Sequence, residues 1–496
     1  MMRLLPYPLS RRLASALFAA VVTLGGGGLA GCSTNPATGQ RAFTLLSQDD
    51  EQELGREQHP KVLAEFGGAY DDPATQAYVT GIGNALVART EQPGVPFTFT
   101  VLDSPVVNAF ALPGGYVYIT RGLMALANSE AELAGVVGHE IGHVTARHGA
   151  QQHGRSVLVG LGAGILGAVI GDRGVAQMLN TGGGLILRGY SREQEFEADS
   201  LGLRYMTQAG YDPAGMASFL EHLHAKSKLD SALLGSGTDP DERSLLSTHP
   251  RTIDRVQEAR TAALGTGALG GRTEHAAYLR GLDGMIYDDS PNQGLVRGQR
   301  FVHPKLRFEF TVPNDFMLLN GPTAVRARGP NGAVIVFDMA PKPTGGTMLQ
   351  YVRQQWGARL PLADLTALNV NGMETATGIA RISASQGPFD LRLVAIRGRD
   401  NRIYRLLFGT PANDTARLNT ALQRTTFSFR EISEAEAAKE KPYRLHIYEA
   451  RPGDTVARLA QWMPEGPQAE ARFRVLNGLA LGEEPAPGQL LKHVSY

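Results

Sequence analysis

The stretch His139-Glu140-Ile141-Gly142-His143 decides how the first half of this 496-residue chain folds. Histidines four residues apart project from the same face of a helix, so their ring nitrogens can bind one divalent cation together. Glu140 directly follows the first histidine, and its carboxylate therefore lies beside a water on that cation rather than on the cation itself. The pattern predicts His139 and His143 as metal ligands and Glu140 as the general base.

The residues on either side of this motif predict a helix. Ser129 and Glu132 form a capping box at its start, and Gly149 offers an end. Apolar side chains recur between these points at helical spacing. They are Leu133, Val136, Val137, Ile141 and Val144. The two histidines then lie in the middle of the helix; the alternative is a pair of surface histidines on an amphipathic helix.

A third protein ligand must come from elsewhere, because zinc sites in proteins use at least three. His148 lies nine residues after His139, which is about 180° around a helix. We therefore expect His148 to face away from the metal, as a residue of the helix C-terminus that the helix dipole favours.

The segment from Ser191 to Asp199 supplies a better candidate. Ser191 and Gln194 form a capping box, and Glu195 and Asp199 lie four residues apart on one face of the helix that follows. That face also carries small and apolar residues, and a packed acidic pair needs a cation or a donor. We expect Glu195 to be the third zinc ligand and Asp199 to orient a ligand histidine, with Glu197 in solvent. The alternative is an ordinary charged surface helix.

Taken together, these motifs resemble the gluzincin endopeptidases of metallopeptidase family forty-eight, the family of the HtpX and CAAX prenyl protease type. Glu195 and Asp199 follow the second histidine at the family's spacing, and the resemblance covers about residues 49 to 265. Two further stretches match. They are Asn108-Ala109-Phe110-Ala111-Leu112-Pro113-Gly114-Gly115-Tyr116 upstream and Thr248-His249-Pro250 with Arg255 downstream. The resemblance implies a mainly α, zincin-type α+β catalytic domain that holds one Zn²⁺ per chain and cuts polypeptides.

The resemblance also implies roles for residues outside the two metal helices. In that family the histidine and arginine that match His249 and Arg255 lie over the metal, so both are candidate catalytic residues. His249 either fills the fourth zinc position in a latent state or polarises the scissile carbonyl. The strand formed by Asn108, Ala109, Phe110 and Ala111 is the candidate edge that pairs with extended substrate. The alternative for that strand is an ordinary hairpin.

The N-terminal residues 1–31 have the basic, apolar and small-residue order of a signal peptide. Their end, Leu29-Ala30-Gly31-Cys32, resembles the lipobox of bacterial lipoproteins, in which the cysteine is acylated. Cys32 is the only cysteine in the chain, which excludes an internal disulfide framework. Since Ser33 rather than aspartate follows it, we expect a lipid anchor on the periplasmic side of the outer membrane, with 32–48 as a tether.

The composition and the hydropathy exclude other classes. Lys plus Arg and Asp plus Glu both number 48, so there is no net field to attract nucleic acid. The glycine-rich apolar stretch 157–170 spans about 21 Å as a helix, short of the roughly 30 Å core of a bilayer. It is expected to be either a lid over the active-site cleft or a buried helix.

The remaining chain divides into further regions. A catalytic domain at 49–266 is followed by a connector at 267–300, and alternating apolar positions predict an α+β domain of unknown role at 301–431. A linker at 432–445, with a short solvated helix as the alternative for its charged part, leads to residues 446–496, where two stretches carry a second resemblance. They are Arg451-Pro452-Gly453-Asp454-Thr455 and Pro487-Gly488-Gln489-Leu490. Both resemble the LysM module, a small βααβ fold that binds N-acetylglucosamine polymers such as peptidoglycan.

These patterns favour a zinc endopeptidase of the bacterial envelope that hydrolyses exposed or misfolded periplasmic and outer-membrane proteins. Its partners would be polypeptide substrates, the membrane through the lipid anchor, and peptidoglycan through the LysM-like module. The alternative is a peptidoglycan-binding assembly factor or chaperone whose metal site is structural or vestigial.

Overall fold

The structure, a computed structural model, describes residues 32–39, 41–152, 189–234, 249, 252–340, 345–384, 387–464 and 466–496. The expected signal peptide at 1–31 and the glycine-rich stretch 157–170 lie outside these residues. Within the described parts of the chain, no helix is both long and apolar enough to cross a bilayer.

The N-terminal half is built mainly of helices. Its elements, in chain order, are β1 (Cys32–Thr34), β2 (Arg41–Phe43), α1 (Gln48–Glu65), α2 (Pro73–Val87), β3 (Thr98–Leu102), β4 (Ala109–Leu112), β5 (Tyr116–Thr120), α3 (Arg121–Leu126), α4 (Glu130–Thr145), α5 (Arg192–Gln208), α6 (Ala214–Leu234), α7 (Thr252–Gly265) and α8 (His275–Gly281). The metal motif lies on α4, which is buried on all sides by the other helices and by the sheet. Strands β1 and β2 pair as a hairpin, so the start of the stretch predicted as a tether is folded.

A three-stranded sheet has the order β3-β5-β4. Strand β5 pairs parallel to β3 and antiparallel to β4, which leaves β4 at an edge as the sequence predicts. The turn between β4 and β5 uses Gly114 and Gly115 at positive φ. A Cβ on Gly114 would lie 2.6 Å from the backbone of α1, so the turn packs tightly against that helix.

The middle region is rich in strands. They are β6 (Ile286–Tyr287), β7 (Leu295–Arg297), β8 (Arg300–His303), β9 (Phe308–Thr311), β10 (Met317–Leu319), β11 (Val325–Arg328), β12 (Val334–Met339), β13 (Ala363–Val370), β14 (Met373–Ala384), β15 (Gly387–Arg397), β16 (Ile403–Pro411) and β17 (Arg430–Glu431). Seven of them form an antiparallel sheet in the order β10-β11-β12-β16-β15-β14-β13. Helix α9 (Met348–Tyr351) packs on one face and α10 (Thr415–Ser428) on the other.

The predicted boundaries of this middle domain need correction at both ends. Strand β7 belongs to the predicted connector, yet it joins β8 and β9 in a four-stranded sheet. The predicted linker 432–445 contains α11 (Glu434–Ala437), and Ile432 and Ala437 pack against buried Leu295 and Val302. Because these apolar side chains have a surface to cover, the stretch is packed rather than loose.

The C-terminal region has the strand, helix, helix, strand order. Its elements are β18 (Tyr443–Glu449), α12 (Val456–Leu459), α13 (Ala469–Asn477) and β19 (Leu490–Ser495). Strand β18 also pairs with β6, and the apolar side chains of this region share one core with the N-terminal half. Fully buried Lys492 donates from Nζ to the carbonyls of Ala125 and Ala127 at 2.6 and 2.9 Å, where α3 ends. The C-terminal region is thus fixed to the helical half.

Candidate metal centre

Glycines allow the two metal helices to approach closely. A Cβ on Gly202 of α5 would lie 2.6 Å from the backbone nitrogen of His139, and one on Gly142 of α4 would lie 3.0 Å from the carbonyl oxygen of Ala198. Only residues without a Cβ fit at such a crossing. The close crossing carries Glu195, in the first turn of α5, to the histidines in the middle of α4.

Four buried side chains meet at this crossing. One ligand atom from each of His139, His143, Glu195 and His249 lies within 4.8 Å of the others. His139 Nε2 lies 3.0 Å from His143 Nε2 and 3.6 Å from Glu195 Oε2. The ligands of a tetrahedral zinc lie about 3.3 Å apart when the bonds are about 2.0–2.1 Å long. The observed spacing and the donor set therefore fit one zinc ion.

Glu140 is next to this cluster and is fully buried. Among the described residues, neither of its carboxylate oxygens has a hydrogen-bond partner. Burial raises the pKa of the Glu140 carboxyl, while His249 and His139 oppose that rise. A buried carboxylate in this condition needs a proton, a water or a cation beside it. The orphaned oxygens of Glu140 are a second observation that fits a metal with a bound water.

Asp199, the residue expected to orient a ligand histidine, contacts the ring of His139. Its Oδ1 lies 2.8 Å from His139 Nδ1, which leaves His139 Nε2 directed at the cluster. Burial alone would raise the pKa of Asp199, but the Arg255 guanidinium and His139 hold it well below its usual range. Arg255 also lies 2.9 Å from Glu195. Arg255 therefore forms ion pairs with two acidic side chains of the site, Asp199 and Glu195.

His249 lies inside the cluster rather than beside it. Its Nδ1 is 3.0 Å from Glu195 Oε1 and 3.1 Å from His139 Nε2, and its Nε2 is 3.5 Å from Glu140 Oε1. This position corresponds to a fourth ligand. Of the two roles considered for His249, the geometry favours the closed, latent one.

The expectation that His148 faces away from the metal is wrong. Helix α4 ends at Thr145, and Arg147 adopts a left-handed conformation with φ of 59°. The chain therefore turns back, and His148 Nδ1 lies 2.8 Å from His143 Nδ1. Helical extrapolation failed because the helix stops before this residue. Glu197, expected in solvent, lies 3.2 Å from the other ring nitrogen of His148.

Tyr190 is a residue of the site that sequence reasoning did not identify. Its ring stacks on His143 with centroids 3.9 Å apart and planes 18° apart. It directly precedes the N-cap residue Ser191, a position at which an apolar or aromatic residue often packs back on the helix. The position of Tyr190 directly before a predicted N-cap was the sequence signal that could have identified it.

The structure brings the candidate substrate strand close to the metal ligands. A small cavity is lined by Ala111 on β4 and by His143 and Tyr190. Asn108, Ala109 and Phe110 are all buried.

The candidate lipidation residue Cys32 lies in β1, where its backbone pairs with Phe43.

Comparison with known proteins follows the same residues. The family model described as "Peptidase family M48" matches residues 73–263. The chain is 32% identical over 239 residues to the beta-barrel assembly-enhancing protease of Escherichia coli K12, covering 46% of this chain and 47% of that protein. It is 32% identical over 196 residues to the metalloprotease LoiP of the same organism, covering 38% of this chain and 71% of that protein.

A third relative is eukaryotic. The mitochondrial metalloendopeptidase OMA1 of Arabidopsis thaliana is 34% identical over 203 residues, which cover 41% of this chain and 39% of that protein. The chain spans about half the length of the beta-barrel assembly-enhancing proteases that it matches.

Helix α4 with its paired histidines and the glutamate from α5 define the class as a zincin-type metallopeptidase. The chain belongs to peptidase family M48. Peptidases of this family are zinc-dependent, and the cluster described above is able to bind one zinc ion.

Proposed function

We propose that the protein is a zinc-dependent endopeptidase of the bacterial envelope that hydrolyses exposed or misfolded periplasmic and outer-membrane proteins. The observation that carries the proposal is the buried Glu140 carboxylate beside the His139, His143 and Glu195 cluster, because neither of its oxygens has a hydrogen-bond partner among the described residues. A carboxylate whose oxygens are not engaged in hydrogen bonds can accept the proton of a water in metal-assisted hydrolysis.

When bound, zinc supplies a Lewis acid that polarises the scissile carbonyl and lowers the pKa of its water. His139, His143 and Glu195 would hold the ion, and Asp199, at 2.8 Å from His139 Nδ1, would keep that ring in the tautomer that presents Nε2 to the cluster. A Glu140 oxygen takes the proton of the attacking water and delivers it to the nitrogen of the leaving amine. Tyr190 stacks on His143 and limits the access of other water to the buried centre.

His249 keeps the proposed enzyme in a closed state. Catalytic zinc sites leave one coordination position to water or substrate, whereas structural sites use four protein ligands. His249 would take the fourth position, since its ring lies in the cluster with His139, His143 and Glu195, and it would have to withdraw before substrate enters. Substrate would then add to the edge of β4 as an extended strand, through main-chain hydrogen bonds in the stretch after Asn108, whose own main-chain groups already bond to Thr120.

The cellular setting is part of the proposal. The sequence pattern of 1–31 and Cys32 supports a lipid anchor at the outer membrane. The relatives named beta-barrel assembly-enhancing protease favour proteins of the envelope as substrates. The βααβ order of β18, α12, α13 and β19 supports a LysM-like module that contacts peptidoglycan.

One observation favours a second function. A cluster of four protein ligands is also typical of a structural zinc, which suits an assembly factor or chaperone. Glu140→Gln separates the two because it removes the base and keeps the ligands. The endopeptidase proposal expects casein cleavage to fall at least about 100-fold with zinc still bound. The matched control is Glu258→Gln, at an exposed position of α7. If wild type and both variants leave casein uncut while binding zinc, the second function stands.

A further inference from the structure

A kink after the metal helix is held by a distant part of the chain. Arg147, at positive φ, donates from Nε to Glu51 Oε1 at 2.7 Å and from Nη2 to the carbonyl of Leu46 at 2.7 Å. Both acceptors belong to the start of α1 or the loop before it. After Arg147, whose guanidinium these contacts hold, a new helical stretch begins at 148–152.

The kink places His148 between a metal ligand and a carboxylate. His148 is fully buried, with Nδ1 at 2.8 Å from His143 Nδ1 and Nε2 at 3.2 Å from Glu197 Oε2. His143 Nε2 faces the cluster, so His143 must carry its proton on Nδ1 and donate it to His148. His148 then carries its own proton on Nε2 and donates it to Glu197. With these two proton positions, His143 donates to His148 and His148 donates to Glu197, so each contact has one donor and one acceptor.

The far end of this chain of hydrogen bonds lies near the N-terminus. Asn35 Nδ2 donates to Glu197 Oε1 at 2.8 Å, and Asn35 Oδ1 accepts from the backbone nitrogen of Ala37 at 2.9 Å. Asn35 and Ala37 are both buried, and Ala37 is part of the large core of the helical half. A segment that begins three residues after Cys32 is therefore docked onto the carboxylate that orients His148.

We propose that His148 is a positioning residue for the metal ligand His143, and that the N-terminal segment 35–37 completes this support by clamping Glu197. The inference rests on the zinc site of the proposed function and adds to it a second oriented histidine. The first, His139, takes its orientation from Asp199, so both histidine ligands of the centre have their own acceptor. Docking of the segment after Cys32 then strengthens zinc binding.

The test compares replacements of His148 that each keep only one of its two contacts, either the one with His143 or the one with Glu197. In His148→Asn the amide occupies the place of Nδ1 and keeps the contact with His143, whereas in His148→Gln it reaches the place of Nε2 and keeps only the contact with Glu197. Zinc affinity is measured by competition with a chelator of known affinity, and Co²⁺ absorption reports the ligand geometry. We expect affinity to fall about 10–100-fold in His148→Gln and His148→Ala, and less than about fivefold in His148→Asn.

The clamp is tested at its other end. Asn35→Asp puts a like charge against Glu197 and is expected to weaken zinc binding more than Asn35→Ala. The matched control is Asn84→Asp, at an exposed position of α2. Thermal unfolding of each variant in excess chelator shows whether the metal-free fold is intact.

The outcomes separate this inference from the proposed function. If wild type binds zinc and cuts casein but His148→Asn and His148→Gln have equal affinities, the positioning role is overturned while the endopeptidase stands. Equal affinity in the Asn35 variants and wild type overturns the clamp. A wild-type protein that binds no zinc overturns both the inference and the proposed function. The predicted order of affinities, with an unchanged metal-free unfolding temperature for the His148 pair, supports the inference.

Discussion

The guanidinium of Arg255 forms a bidentate pair with the carboxylate of Asp199, from Nε to Oδ2 at 2.7 Å and from Nη2 to Oδ1 at 2.6 Å. Both side chains are buried, and Arg255 also pairs with Glu195. Removal of one partner from a buried pair leaves the other charge uncompensated. Because Arg255 lies behind the histidine and glutamate ligands, it links the stability of the fold to the order of the metal centre.

Arg255→Met is expected to lower the free energy of unfolding of the metal-free protein by about 3–5 kcal/mol. The measurement is chemical denaturation in excess chelator. Arg260→Met is the control on the same helix, since Arg260 pairs with Glu221 at the surface, where an ion pair contributes about 0–1 kcal/mol. Equal losses in the two variants would contradict the role assigned to Arg255.

Gly202→Ala is expected to separate α4 from α5. The added Cβ would lie 2.6 Å from the His139 nitrogen and 2.8 Å from the Gly138 carbonyl carbon, and both are backbone atoms that cannot rotate away. We expect a loss of about 1–3 kcal/mol in stability and weaker zinc binding. Gly81→Ala is the control, because no atom lies within 4 Å of its added Cβ in α2. That change is expected to stabilise the helix by up to about 1 kcal/mol.

His249→Ala is expected to open the fourth ligand position. Zinc affinity then falls, while the rate of casein cleavage at saturating zinc rises above that of wild type, because no side chain competes with water and substrate. Zinc competition and a cleavage assay on the same preparation give both quantities. A fall in both affinity and rate would instead assign His249 to polarising the scissile carbonyl.

The middle domain contains a histidine that makes stability depend on pH. Burial lowers the pKa of His303 to about 4, with Lys305 and Arg402 acting in the same direction. Its Nδ1 accepts a hydrogen bond from the Leu306 nitrogen, which requires the neutral ring. Between pH 6.5 and 4 the unfolded chain therefore binds a proton that the folded chain does not. Stability is complete above about pH 6.5 and falls by about 3 kcal/mol as the pH drops to 4.

The pH dependence of the stability is measured for the middle domain alone. The protein has two tryptophans, so a Trp462→Phe background with selective tryptophan excitation leaves Trp356 of the middle domain as the reporter. In that background His303→Asn keeps an acceptor for Leu306 and removes the titration. A pH profile that is as steep in His303→Asn as in the parent would contradict the assignment.

Short-range patterns predicted the helices that carry the metal ligands. The signals are local. A capping box at Ser191 marks the start of one helix, and the four-residue spacings of His139 with His143 and of Glu195 with Asp199 place each pair on one helix face. The edge position of β4 was implied by the family resemblance, since the sequence around it predicts only two strands joined by a glycine turn. The resemblance to a known family then indicated which of these local sites meet.

The features that sequence reasoning missed depend on contacts between distant residues. His148 reaches His143 because Arg147 is held at positive φ by Glu51, which lies 96 residues away. The C-terminal region is fixed rather than free because β18 pairs with β6 and Lys492 reaches the end of α3. These contacts have no local sequence signal, since each joins residues that are far apart in the chain and meet only in the folded protein.

The central claim is that a zinc held by His139, His143 and Glu195 makes this chain a peptidase. Its most direct test is metal analysis of the purified protein combined with casein cleavage before chelation, after chelation and after zinc is restored. We predict about one zinc per chain, loss of cleavage with the metal, and recovery with zinc. Protein that carries no zinc, or whose cleavage is unchanged after the metal has been removed, would contradict the claim.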